Sequence, residues 1–247
     1  MSDSLCATSI TISGHGGDEV EAYLAQPEGD DARGGVVVIH HMPGYDRGTK
    51  EIVRRFAEMG YDAICPNLHW RDAPGAKPDD AAAATRAKGG VPDERLIGDV
   101  GGSMRHLRSL PSSNGKVGVI GYCSGGRQSV LVACNLDVDA AVDCYGAFVT
   151  GTPADDFPLR VTNLVDQLPN LRSPLLGLFG EEDKYPTPEH VEELRRILEE
   201  HGKVFEFHSY EDAGHAFFSV DRPSYRVAAA TDGWERIETF YATYLGG

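Results

Sequence analysis

One stretch constrains this chain more than any other. Val117–Tyr122 is apolar or glycine at every position, the pattern of a strand covered on both faces. It runs straight into Gly121-Tyr122-Cys123-Ser124-Gly125-Gly126, and a helix is expected over Ser124–Cys134. A strand that turns abruptly into a helix, with a glycine two residues either side of the turn residue, is the G-x-nucleophile-x-G pattern with cysteine in place of serine. Larger side chains at 121 and 125 would strike neighbouring backbone, so glycine is needed there. The helix N-terminus beyond Cys123 favours a thiolate over a thiol. In another context Cys123 would read as a small buried hydrophobe. Cys6, Cys65, Cys134 and Cys144 have no such context and are read as packing residues.

The flanking sequence places this turn in a layered α/β fold. Ile10–Ile12 and Val20–Ala25, around the turn Gly14–Asp18, predict an antiparallel hairpin. Val36–Ile39 reads as a second doubly covered strand, followed by an amphipathic helix over Thr49–Met59 that Gly60 ends. Further strands are expected at Ala63–Cys65, Ala140–Tyr145, Leu175–Phe179 and Val204–Tyr210. Helices are expected at Asp93–Leu110, Pro188–His201 and roughly Tyr225–Tyr244. Strands alternating with helices from Val36 onward predict one mostly parallel sheet with helices on both faces. The segments 68–90 and 150–172 read as irregular, the second with room for one short helix. No repeat, linker or second domain is evident, so residues 1–247 are read as a single domain.

A thiol nucleophile needs a general base and a group to orient it. His215 follows the last predicted strand in Asp212-Ala-Gly-His-Ala-Phe-Phe, and Asp183 follows the strand before it in Gly180-Glu-Glu-Asp. Loops at the carboxyl ends of parallel strands gather at one sheet edge, which Cys123 also reaches. The chain order nucleophile, acid, base supports Cys123, Asp183 and His215 as a triad. Glu181, Glu182 and Asp212 are rival carboxylates, and a surface histidine is the plainer reading of His215. His106, His190 and His201 fall on predicted helices and are read as ordinary helix residues.

Composition removes other classes. With 23 basic and 38 acidic residues the net charge is −15, which disfavours nucleic-acid and anionic-membrane partners. No leader-like segment opens the chain, and no apolar run nears the ~20 residues of a membrane span. Five widely spaced cysteines fit free thiols in a reducing cytoplasm, and no spacing signature suggests a structural zinc site. No cofactor is expected; the assembly reading is a monomer or small homo-oligomer.

These residues resemble the dienelactone hydrolase family of α/β-hydrolases, over most of the chain from about Val36 to the last helix. The resemblance rests on 60–68 (Gly-Tyr-Asp-Ala-Ile-Cys-Pro-Asn-Leu), 113–126 around the cysteine turn, Gly180–Asp183 and Ala213–Phe217. It implies an α/β-hydrolase fold and a metal-free hydrolase of lactones or small esters, with a Cys-His-Asp triad mapping to Cys123, His215 and Asp183. It also implies an oxyanion hole from the backbone N–H groups of Ser124 and Met42. Acyl transfer, thioester cleavage and a catalytically silent binding module are the rival functions.

Two features depart from the family pattern. His41, in His40-His41-Met42-Pro43-Gly44, stands where the family has a glutamate that helps form the thiolate. It reads either as a second imidazole modulating the thiol or as a loop-shaping residue that presents the Met42 N–H. A third reading has Cys123, His41 and His215 converging on a soft metal. The two arginines that clamp a substrate carboxylate in the family correspond to Ala81 and Ser219, with Arg71, Arg86 and Arg222 near in sequence. A carboxylate-bearing substrate is therefore in question, while ester chemistry is not.

Overall fold

The computed structural model describes residues 5–29 and 31–246. β1 (Leu5–Ser13) and β2 (Glu19–Pro27) form an antiparallel hairpin, in register from Leu5 against Pro27 to Ser13 against Glu19. β3 (Arg33–Ile39), β4 (Asp62–Pro66), β5 (Ser113–Tyr122), β6 (Ala140–Cys144), β7 (Leu175–Gly180) and β8 (Phe205–Tyr210) are mutually parallel, and β2 joins β4 antiparallel. The sheet order is β1-β2-β4-β3-β5-β6-β7-β8. The chain leaves β3 for β4 on one side and later returns to β5 on the other. Such a reversal leaves a crevice at the carboxyl ends of the central strands.

The consecutive apolar runs are explained by cover on both faces. Val37, Ile39 and Val119 pack with α3 (Asp93–Ser109), α4 (Ser124–Asn135) and α5 (Pro188–Glu200), through Leu96, Val130 and Leu194. Val36, Val38 and Ile120 point the other way, against Val53 and Phe56 of α1 (Arg47–Glu58) and Ile237 of α6 (Val227–Leu245). Each such side chain contributes about 1.5–3 kcal/mol on full burial. The Tyr241 hydroxyl of α6, buried beneath the sheet, donates to Val119 O at 2.8 Å and ties the last helix to the strand that carries the cysteine turn.

Two expectations need correction. Segment 68–90 is not wholly irregular: α2 spans Pro78–Ala87, with Pro78 in its first turn and Asp79 and Asp80 beside it. It buries only Ala81, Ala82 and Thr85, so no large apolar side chain marks its period. Cys6 is not a packing residue but is exposed on the edge strand β1. Cys65, Cys134 and Cys144 are buried, and burial pushes the Cys134 thiol up to about 11. Segment 150–172 holds one short 3-10 turn at Val165–Asn170. No helix among the described residues is long and apolar enough to cross a membrane.

Candidate active site

Cys123 sits between β5 and α4 with φ 58° and ψ −121°, a conformation that costs a non-glycine residue about 1–3 kcal/mol. The surrounding backbone enforces it. Cys123 N–H donates to Cys144 O at 3.1 Å, and Gly126 N–H donates to Cys123 O at 2.9 Å. A Cβ on Gly121 would lie 1.7 Å from Gly125 O, and one on Gly125 would lie 2.2 Å from Ile39 O. The start of α4 is thus pressed against the end of β3. The thiol is half-buried, unlike those of the three cysteines in the core.

Asp183 follows β7, and its side chain is almost fully buried. Tyr185 N–H donates to its Oδ1 at 2.9 Å, and its Oδ2 lies 2.8 Å from His215 Nδ1. Glu181, Glu182 and Asp212 are exposed, so the carboxylate that meets His215 is Asp183. The two loops are joined by backbone as well, since Glu182 N–H donates to Ala213 O at 2.9 Å. Burial works to lower the His215 pKa, but Asp183 and the Cys123 sulfur outweigh it and hold the imidazole at about 10. With Nδ1 committed to Asp183, the ring has Nε2 left for the sulfur. No hydrogen bond of regular geometry joins the thiol to the ring in this resting arrangement, and such contacts commonly tighten only with substrate. The Tyr145 ring meets the imidazole edge-on at 5.2 Å.

A cavity of about 220 Å³ opens at this edge. Cys123, His215, His41, Tyr145, Phe218 and Trp234 form much of its wall. His41 Nε2 lies 3.3 Å from Asp46 Oδ2, and Asp46 Oδ1 accepts from Thr49 N–H at 2.8 Å to cap α1. Burial would raise the Asp46 pKa, but these contacts keep its carboxyl well below the usual range. Met42 lies in the loop after β3 and Ser124 opens α4; neither N–H has an acceptor among the described residues. His41, Cys123 and His215 share the cavity but do not form a metal donor set: no group of three or more His, Cys, Asp or Glu among the described residues could hold an ion.

The substrate-arginine positions also resolve. Ala81 is buried in α2, and Ser219 lines the cavity. Arg71 is committed to Asp18 and Asp99. Arg222 lines the cavity and has no carboxylate partner among the described residues, whereas Arg55 stacks on Trp234 at 3.9 Å. Sequence reasoning missed Tyr145, Asp46, Arg55 and Trp234. Tyr145-Gly146 at the carboxyl end of β6 was the available signal for the first, because that edge carries the site.

The model of the dienelactone hydrolase family matches residues 20–245. This chain belongs to the dienelactone hydrolase family. A protein of Salmonella typhimurium is 34% identical over 254 residues, covering 99% of this chain and 90% of its own. The carboxymethylenebutenolidase of Pseudomonas putida is 30% identical over 242 residues, covering 94% and 95%. A crystal structure from Klebsiella pneumoniae superposes with a TM-score of 0.86 at 27% identity, over 98% of this chain and 100% of that one. The fold is accordingly the α/β-hydrolase fold, and the protein is a hydrolase of the dienelactone hydrolase type.

Proposed function

We propose that this protein hydrolyses small esters or lactones by way of an acyl-enzyme on Cys123. The observation that carries this reading is the 2.8 Å His215–Asp183 contact beside the strained cysteine in one cavity. His215, charged through Asp183 and the sulfur, pairs with a Cys123 thiolate. The thiolate adds to the substrate carbonyl, and the negative charge moves to the carbonyl oxygen. The N–H groups of Met42 and Ser124 receive that oxyanion. As the C–O bond breaks, His215 Nε2–H protonates the leaving alkoxide, leaving a thioester and a neutral imidazole. His215 then takes a proton from water as the water attacks the thioester. Collapse of the second tetrahedral species returns the thiolate, and the imidazole keeps the proton. Asp183 holds the ring in one orientation throughout.

Phe218, Trp234, Tyr122 and Ile52 give the cavity an apolar wall suited to a compact acyl or alcohol group. The Pseudomonas putida relative is named for carboxymethylenebutenolide, a carboxylate-bearing lactone. Here Arg222, a cavity cation without a carboxylate partner among the described residues, is available to meet such a carboxylate. His41, which lines the same cavity and is braced by Asp46, is the modulator of the thiol in this reading. A panel of p-nitrophenyl esters and lactones, with mass spectrometry for acylated Cys123, tests the reading. Turnover that survives Cys123→Ala would overturn it.

A further inference from the structure

His40 is buried, and both of its ring nitrogens are spoken for. Leu68 N–H donates to Nε2 at 3.2 Å, which makes Nε2 the lone-pair nitrogen. Nδ1 therefore carries the proton and donates to His41 O at 2.8 Å. That carbonyl belongs to the peptide unit whose other end is the Met42 N–H. The His41–Met42 bond is trans, so the N–H points opposite to the anchored carbonyl. A second buried ring braces the next residue, as His69 Nε2 donates to Pro43 O at 2.9 Å. The two rings meet edge-on at 4.8 Å. Gly44 completes the arrangement: at φ 59° it leaves space that a Cβ would fill, 1.8 Å from His41 O and 2.0 Å from His40 Nδ1. Burial, with His69 alongside, lowers the His40 pKa to about 3, so this ring stays neutral and keeps one tautomer across the working range.

We infer that His40 is a positioning residue: its Nδ1–H anchors the His41 carbonyl, and the rigid peptide then aims the Met42 N–H at the oxygen that becomes negative. The inference rests on the hydrolase reading above. It assigns the loop-shaping task to His40, which leaves His41 free to act on the thiol. Its energetic content is orientation and polarisation of one donor in a site where a donor is worth about 10²–10³ in rate.

The test separates oxyanion stabilisation from thiol activation. Ester hydrolysis develops an oxyanion; alkylation of Cys123 by iodoacetamide does not. His40→Phe should lower kcat for a p-nitrophenyl ester by about 10- to 100-fold, with KM and the alkylation rate held within about twofold. His40→Asn, whose Nδ2 can reach the same carbonyl, should recover most of the loss. Gly44→Ala, which keeps the His40 side chain but wedges a methyl between its ring and the His41 carbonyl, covers the case in which His40→Phe does not fold, and should reproduce its pattern. Unchanged kcat in both variants, alkylation falling in parallel with kcat, or His40→Asn no better than His40→Phe would each overturn the inference. Nitrogen-15 shifts of the His40 ring read the tautomer without any turnover, and a proton on Nε2 would also overturn it. A wild-type protein that hydrolyses no ester and forms no acyl-Cys123 refutes the hydrolase reading itself; one that does both beside an equally active His40→Phe refutes this inference alone.

Discussion

His215 Nδ1 and Asp183 Oδ2, 2.8 Å apart, straddle a boundary of burial: the carboxylate side chain is 2% exposed and the imidazole 36%. The acid is shielded from water and fixed by the Tyr185 N–H, while the ring keeps an open edge toward the cavity. A buried acceptor of this kind orients the ring and stabilises its charge without taking its proton. Asp183→Asn should therefore leave the fold intact and lower kcat by about 10²-fold or more. Steady-state kinetics on the best ester, with a circular dichroism melt as control, checks it. Near-native kcat in the Asp183→Asn variant would remove Asp183 from the mechanism.

The same contact predicts a stability profile. His215 holds its proton to about pH 10 when folded, against an ordinary value of 6.5. A group that binds its proton more tightly in the native state adds stability below its unfolded pKa. The contribution is complete below about pH 6.5 and drains away as the pH rises to about 10. Urea midpoints of the native protein should then lead those of His215→Gln clearly at pH 6 and converge with them near pH 10. The partly exposed ring limits the size of the gap. Parallel profiles over that range would contradict the coupling.

In the same cavity, Asp46 serves two partners, His41 and the first turn of α1. Asp46→Ala removes the cap and should cost about 0.5–2 kcal/mol in urea unfolding. Because its carboxyl is held below the usual range, the contribution is present at neutral pH and fades only as the pH falls below that range. Asp46→Asn keeps an acceptor for Thr49 N–H and should recover much of the loss. The same two variants, compared in iodoacetamide labelling of Cys123, read how far His41 depends on its carboxylate.

Much of this architecture was legible in the residues. Strands such as Val36–Ile39 announce themselves because both faces are covered, and the cysteine turn because backbone crowding at 121 and 125 admits only glycine. α2 was hidden because it packs through alanine and threonine, which leave no apolar period. The partners of the site were legible in part. Chain order picked out Asp183, but its rivals are separated from it by burial, which no local pattern records. Tyr145 and Trp234 come to the cavity from β6's end and α6, and only the assembled sheet brings them within reach of His215 and Cys123. His40 and His41, adjacent and chemically identical, differ in which ring is buried, and no local pattern records that.

Arg222 offers a test of substrate class. It lines the cavity without a carboxylate partner among the described residues, whereas Arg55 is held over Trp234. If the substrate carries a carboxylate, Arg222→Gln should raise KM for that substrate by about 10-fold or more. Neutral esters of similar size should be affected by less than about twofold. An equal loss on both would make Arg222 a structural residue of the loop.

Beneath the cysteine turn lies a carboxyl that the proposed mechanism does not use. Asp143, on β6, is fully buried; its Oδ1 accepts from Gly146 N–H at 2.7 Å, and its Oδ2 has no partner among the described residues. Burial raises its pKa to about 7, only partly offset by the Gly146 N–H. The sign is opposite to that of Asp46. A carboxyl that keeps its proton when folded but loses it when unfolded makes the protein less stable as the pH rises from about 4 to about 7. Asp143→Asn cannot ionise and keeps an acceptor for Gly146 N–H. It should gain on the native protein by an amount on the order of a few kcal/mol at pH 8 and by little at pH 4, where the unfolded carboxyl also begins to keep its proton. Urea unfolding at the two pH values measures the difference directly. A gain of the same size at both would trace the effect to packing rather than to the proton. A loss at pH 8 would mean that the ionised carboxylate has a partner beneath the turn.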